Sequence, residues 1–133
     1  MTDELLETMK LLRKLLEKSW SKQTIWHKAE FKPELPSAGQ CYVTSILLYD
    51  IFGGELISAD ILFEGKYESH YWIKLPNGRE FDLTSDQFNG DGINPMPKDK
   101  IFGRWIFSKK INKRCKRYLR LKEKIVQEFF RNV

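Results

Sequence analysis

Apolar side chains recur at helical spacing near both ends of the chain, and a strand-like pattern fills much of the middle. Spacings of three and four residues over residues 3–18 and again over residues 112–132 predict an amphipathic helix in each segment. The run Cys41–Phe52 is almost wholly apolar or small and ends at Gly53-Gly54, and it is long for a strand. We therefore expect a further helix that begins at Cys41 and is largely buried.

Three segments after this helix favour β-strands. Residues 55–63 and 69–75 are rich in leucine, β-branched and aromatic side chains. Residues 79–83 follow the sequence Asn77-Gly78, which is typical of a tight hairpin turn because both residues tolerate positive φ. Residues 101–107 predict a further short strand or a helical turn.

The order of these elements, namely helix, buried helix, antiparallel strands and helix, indicates an α+β fold. In this arrangement the buried helix packs on a small antiparallel sheet, and the N- and C-terminal helices flank it. We expect a single domain over residues 1–133, because 133 residues suit one domain. Hydrophobic residues make up 41% of the chain, which is enough for a core and argues against disorder.

Positive charge is concentrated near the C-terminus. The formal net charge is +5, and nine Lys or Arg residues fall between Lys109 and Lys124 against one acid, Glu123. Such a stretch attracts nucleic acid, an anionic surface or an acidic protein, although a solvated helix face explains it more simply. No nucleic-acid-binding motif accompanies the charges and no exposed aromatic residues interrupt them, so we do not expect nucleic acid as a partner.

The remaining composition excludes several classes of protein. The two cysteines and two histidines are scattered, so the sequence predicts neither a metal site nor a cofactor, and a reduced, cytoplasmic location fits best. The N-terminus lacks the pattern of a secretory signal, and no apolar run approaches the ~20 residues needed to span a bilayer. We expect a soluble protein outside the membrane, and the sequence leaves its oligomeric state open.

Cys41, His70 and Asp82 have the order and placement that thiol catalysis requires. A nucleophilic cysteine must be a thiolate, which a helix N-terminus and a neighbouring imidazolium both favour, and Cys41 begins the buried helix. His70 heads an aromatic strand, and Asp82 lies on the partner strand, where its carboxylate can orient the imidazole. A two-residue turn at Asn77-Gly78 would place Asp82 opposite about residue 73. A loop of three or four residues would shift this pairing by one or two residues, so the contact with His70 is diagonal at best.

Short runs around these residues resemble two known groups of proteins. The runs Gly39-Gln40-Cys41, His70-Tyr71-Trp72 and Phe81-Asp82-Leu83-Thr84 resemble the transglutaminase-like branch of the papain superfamily. In that branch a cysteine opens a helix, a histidine precedes an aromatic residue on a strand, and an aspartate follows on the next strand, commonly before proline. Leu83 stands where that proline is common. The resemblance implies a catalytic triad and a helix-against-sheet core.

More closely, the chain resembles the YunG-like proteins, a bacterial family. The matching pieces are Ser19-Trp20-Ser21, Pro36-Ser37-Ala38-Gly39-Gln40-Cys41, Phe52-Gly53-Gly54-Glu55, His70-Tyr71-Trp72 and Asp82-Leu83-Thr84-Ser85-Asp86-Gln87-Phe88. They span over half of the chain. This family resemblance implies no substrate.

The leading hypothesis is a cysteine-dependent hydrolase or acyltransferase that acts on an amide or ester bond of a peptide or other substrate. Cys41 attacks the carbonyl, His70 transfers the proton, and Asp82 fixes the tautomer of the imidazole. The backbone amide of Cys41 would bind the oxyanion, together with the side chain of Gln40 or Gln23. Whether water or an amine accepts the acyl group is open.

Two tryptophans and the basic helix have other interpretations. Trp20 and Trp72 are candidates for the walls of a substrate cleft, although burial in the core explains both more simply. The alternative to an enzyme is a non-catalytic binding module that keeps the fold and uses its basic C-terminal helix to bind nucleic acid or an acidic partner. The two hypotheses differ in the reactivity they predict for Cys41.

Overall fold

The computed structural model describes residues 2–107 and 111–131 of the chain. Within these ranges, three α-helices and one four-stranded antiparallel sheet form an α+β fold, as the order of elements predicts. The helices are α1 (Glu4–Ser19), α2 (Cys41–Phe52) and α3 (Lys116–Arg131). The strands are β1 (Glu55–Phe63), β2 (Lys66–Lys74), β3 (Glu80–Phe81) and β4 (Ile101–Ile106), in the sheet order β3-β2-β1-β4. Two short 3-10 turns cover Ser85–Phe88 and Lys98–Lys100.

The helix boundaries follow local capping. Asp3 caps α1, since its Oδ1 accepts the backbone N–H of Leu6 at 3.1 Å. Helix α2 begins and ends where the sequence predicts. Helix α3 begins later than predicted because Asn112 forms a turn of its own, in which its Oδ1 accepts the N–H of Arg114 at 3.0 Å. The predicted end at residue 132 lies outside the described residues.

The strand boundaries depend on the turns between them. Glu64 and Gly65 both have positive φ, 51° and 76°, and form a two-residue hairpin that starts β2 at Lys66, earlier than predicted. Strand β3 is shorter than predicted because the N–H of Asp82 donates to the carbonyl of Ile93 at 2.8 Å and not to β2. Residues 101–106 form a strand, β4, on the free edge of β1.

The three helices pack together on one face of the sheet. Buried side chains from all of them join the sheet residues of that face in one cluster, which includes Met9, Leu16, Ile46, Leu48, Leu56, Ile73, Phe81, Leu121 and Ile125. Complete burial of such a side chain contributes roughly 1.5–3 kcal/mol. The opposite face carries a smaller cluster built from Ile57, Ala59, Ile61, Trp72 and Phe88.

Side chains of β2 alternate between these two faces. Tyr71 and Ile73 face the helices, whereas His70 and Trp72 face the smaller cluster. Among the residues that the structure describes, no helix combines the length and the apolar content needed to cross a bilayer.

Candidate active site

Cys41 is the first residue of α2, and buried contacts fix the loop that leads to it. Gly39 has a φ of 77°, a conformation that favours glycine. A Cβ at this position would also lie 2.7 Å from Cγ1 of Ile25, so both the backbone and the packing require a glycine. The carbonyl of Gly39 also accepts the N–H of Trp26 at 3.0 Å. Cys41 itself is half-buried. The first N–H groups of a helix lack intrahelical partners and carry partial positive charge, which favours an anion at this end.

His70 is fully buried and is paired with a buried carboxylate. Its Nε2 lies 2.6 Å from Oδ2 of Asp82, and Asp82 is only 1% exposed. The contact follows from the register of β2 and β3, in which Ile73 is opposite Phe81. Continuing this register places Asp82 opposite Trp72, which shares a face with His70.

The pairing estimated from a two-residue turn is off by one residue, and one of the longer loops that the sequence left open is observed. The turn contains three residues and not two, since the N–H of Leu75 donates to the carbonyl of Arg79 at 2.8 Å. Gly78, with a φ of 88°, completes this longer turn. A two-residue turn would have directed Asp82 to the face of Ile73, away from His70. The diagonal contact therefore depends on the length of the turn.

Two residues that the sequence analysis did not single out complete the surroundings of the imidazole. Oδ1 of Asp82 accepts the backbone N–H of Thr84 at 3.1 Å and its hydroxyl at 3.2 Å. Nε2 of Gln87 donates to the Thr84 hydroxyl at 3.3 Å and lies 3.3 Å from Nδ1 of His70. Both residues belong to the run 82–88 that carries the YunG resemblance, and this run was the signal that could have indicated them.

The charge state of His70 reflects its neighbours. Burial disfavours the charged ring, but the charge and hydrogen bond of Asp82, together with hydrogen-bonding and charge interactions with Cys41, raise the pKa of His70 from 6.5 to about 10. Burial and then the charge of Cys41 also raise the pKa of Tyr71.

Helix α1 anchors the segment that carries these groups. The guanidinium of Arg13 donates to Oδ1 and Oδ2 of Asp86 at 2.9 and 2.8 Å, and to the carbonyl of Leu83 at 2.7 Å. Burial alone would raise the pKa of Asp86, but its bonds with Arg13 and Ser37 lower it. Asp86 is thus the ion-pair partner of Arg13.

Gln40 and Gln23, the two side chains suggested for the oxyanion site, have different surroundings in the structure. The side chain of Gln40 is fully buried, and its Oε1 accepts the hydroxyl of Thr24 at 2.8 Å while its Nε2 donates to the carbonyl of Ser21 at 3.2 Å. Gln23 is exposed and lines a surface cleft. The Gln40 amide is therefore hydrogen-bonded to the preceding loop and holds that loop in place.

The two tryptophans proposed as cleft walls lie in the core. Trp20 is buried, and its Nε1 donates to the hydroxyl of Thr44 at 2.9 Å. Trp72 is buried beside His70, and its Nε1 donates to Oε1 of Glu80 at 2.7 Å. The simpler interpretation of both residues, core packing with the indole N–H satisfied, agrees with the structure.

The basic C-terminal helix is largely exposed. Lys113 and Lys122 pair with Asp50 at 3.3 and 3.4 Å, so part of the charge is engaged. Phe129 and Phe130 follow the charged run and are 50% and 69% exposed, whereas Tyr118, the aromatic residue within the run, is buried. Within residues 2–107 and 111–131, no group of three or more His, Cys, Asp or Glu residues is arranged to hold a metal ion.

Comparison with known proteins gives one family. The family model described as YunG protein matches residues 8–130. The Bacillus subtilis (strain 168) protein named "Uncharacterized protein YunG" is 32% identical over 80 residues, which is 60% of this chain and 63% of that protein. The match thus spans less than two thirds of that relative. No solved structure gives a significant match.

Proposed function

The chain belongs to the YunG family. From the residues around Cys41 we propose that it is a cysteine-dependent hydrolase or acyltransferase that acts on an amide or ester bond. The proposal places its core among the papain- and transglutaminase-like thiol enzymes. The observation that carries it is the fully buried imidazole of His70, which meets Asp82 at Nε2 and interacts with Cys41 at the start of α2. A nucleophile, a base and an orienting carboxylate are the parts that such chemistry needs.

In the proposed mechanism Cys41 attacks the carbonyl carbon as a thiolate, and a thioester forms as the amine or alcohol leaves. His70 donates the proton that the leaving group requires, because its raised pKa keeps the ring charged at neutral pH. Asp82 holds the ring through Nε2 and stabilises its charge. Attack of water on the thioester completes hydrolysis, and attack of an amine completes acyl transfer.

The surrounding residues have positioning roles in this proposal. The backbone N–H of Cys41, at the positive end of α2, is the oxyanion donor that we assign, since the Gln40 amide is engaged elsewhere. Thr84 fixes the second oxygen of Asp82. Nε2 of Gln87 lies 3.3 Å from Nδ1 of His70, the nitrogen that is left for proton transfer because Nε2 meets Asp82, and Gln87 helps to position the ring.

Alkylation by iodoacetamide at neutral pH tests the activation of Cys41. The chain supplies its own control, because Cys115 is also a free, half-buried thiol. Peptide mapping by mass spectrometry should show Cys41 reacting about tenfold faster or more than Cys115. His70→Ala should abolish the difference and His27→Ala should preserve it. Equal rates for the two cysteines would contradict the proposal.

Turnover of p-nitrophenyl acetate tests catalysis itself. We expect a burst of p-nitrophenol and an acetyl group on Cys41 in the trapped intermediate, both absent from Cys41→Ser. A reactive Cys41 that never carries the acetyl group would indicate a binding role for the thiol and would refute the enzymatic mechanism.

A second candidate is the binding module that uses α3, favoured by the exposed phenylalanines at the end of that basic helix. Its partner would be nucleic acid or an acidic protein. Affinity should fall with rising salt and weaken when Arg114, Lys116 and Arg120, all exposed, are changed to Gln. If the affinity changes neither with salt concentration nor with these substitutions, this candidate is excluded.

A further inference from the structure

A surface cleft lies between the loop that precedes α2 and the start of α3. Its volume is about 680 Å³, within the range of small-molecule sites. Trp26 and Phe31 supply aromatic walls, and Arg117 closes the side that α3 forms. The cleft is thus apolar over much of its surface, with charged groups at its margin.

One donor at this margin is buried without a partner. Among the described residues, Nη1 of Arg117 is buried and donates to no acceptor, and no ion pair joins this guanidinium to Glu30, the acid of the cleft. A buried donor left unsatisfied is unfavourable, so it favours any acceptor that enters. Lys22 lies in the same lining, so the basic side chains outnumber the acid. An anionic group matches both the charge and the free donor.

The cleft adjoins the start of α2. The guanidinium carbon of Arg117 lies 5.9 Å from the ring centroid of Tyr42, the residue after Cys41. On the loop side, Ile25 lines the cleft and is also the residue that would meet a Cβ at Gly39. Two residues of the lining therefore lie close to Gly39 and Tyr42, which flank Gln40 and Cys41 in the chain.

We propose that this cleft binds a ligand that carries a free carboxylate next to an apolar or aromatic group, with Arg117 as the carboxylate anchor. The planar guanidinium matches a carboxylate through paired N–H donors, and Trp26 and Phe31 contact the apolar part. Identification of this ligand as the substrate of Cys41 rests on the proposed function, whereas carboxylate binding by itself does not.

Calorimetric titration with hippurate, an aromatic amide with a carboxylate, tests the cleft. Hippurate should bind the full chain and Cys41→Ser equally, and its neutral amide should bind about tenfold more weakly or worse. Arg117→Gln should lose a similar factor, and Arg117→Lys should lie between the two. Arg120→Gln removes an exposed charge from the same helix and should have no effect.

Several outcomes would overturn the proposal. The first is an equal loss of hippurate affinity in the Arg117 and Arg120 variants. The others are equal affinity for hippurate and its neutral amide, and no binding at about 10 mM hippurate. Circular dichroism of each variant separates lost binding from lost folding. Protection of Cys41 from iodoacetamide by hippurate tests the link to the thiol. If hippurate binding depends on Arg117 but Cys41 is unreactive, the cleft proposal stands and the proposed enzymatic function is refuted.

Discussion

Replacing Asp82 by asparagine removes the negative charge beside His70 and keeps the shape of the side chain. Asp82 provides the largest effect that raises the pKa of His70, through its charge and its 2.6 Å contact with Nε2. The largest opposing effect is burial, which favours the neutral ring and remains in the variant. The pKa of His70 should therefore fall steeply in Asp82→Asn.

The expected magnitude follows from the pKa of about 10 in the folded chain, against 6.5 for a free histidine. At about 1.4 kcal/mol per pKa unit, the site favours the imidazolium by something on the order of 5 kcal/mol. At pH 7 the ring should be protonated in about a thousandfold excess. In Asp82→Asn we expect the pKa to fall by at least about two units, with a loss of roughly 2 kcal/mol of folding stability from the broken buried bond.

The measurement is nuclear magnetic resonance of the imidazole nitrogens, titrated from about pH 5 to about pH 11 in a His27→Gln background that leaves one histidine signal. Unfolding in urea gives a second readout. A pKa raised in the folded state stabilises the fold fully below about pH 6.5, and this contribution is lost as the pH rises towards 10. The loss between these pH values should be present in the native chain and reduced in Asp82→Asn.

Asp99→Asn, which removes an exposed carboxylate, is the matched control and should leave the midpoint of His70 in place. A native midpoint near 6.5, or the same midpoint in native chain and Asp82→Asn, would refute this account of the buried pair. A lowered midpoint without any change in the pH dependence of stability would refute the linkage argument alone.

Four further substitutions test the framework of the site by urea unfolding. Gly54→Ala should lower the free energy of unfolding by more than about 3 kcal/mol, because φ is 90° and the added Cβ would lie 2.2 Å from a carbonyl oxygen of β2. Gly65→Ala, where φ is 76° and the surrounding space is open, should lower it by about 1–2 kcal/mol. Equal losses in the two variants would contradict the steric argument. Arg13→Met should cost about 3 kcal/mol by leaving Asp86 without its ion-pair partner, and a loss below about 0.5 kcal/mol would show that the pair contributes little. Tyr118→Phe should cost about 1–2 kcal/mol by removing the hydroxyl bond to a carboxylate of α2, and unchanged stability would contradict that contact.

Some features of this protein could be predicted from the sequence because neighbours along the chain determine them. The bounds of α2 follow from an apolar run between glycines, and those of β1 from the hairpin residues after it. The candidate residues Cys41, His70 and Asp82 could be chosen by type and order. Their catalytic role stays a prediction.

Contacts between distant segments could not be predicted in this way. Arg13 and Asp86 are 73 residues apart, and Lys124 bonds Ser21 across 103 residues, which no local pattern indicates. The side chains of Gln40, Trp20 and Trp72 suit either a cleft or the core by composition. Only the packing of remote elements decided that all three are buried.

The contact between His70 and Asp82 needed both kinds of information. The sequence by itself determined that a hairpin joins the two residues, and it left the length of the turn open. One extra residue in the turn, seen only in the tertiary structure, moved Asp82 to the face of His70. The physical reason is that side chains alternate with a period of two along a strand, so a shift of one residue reverses the face of every side chain after the turn.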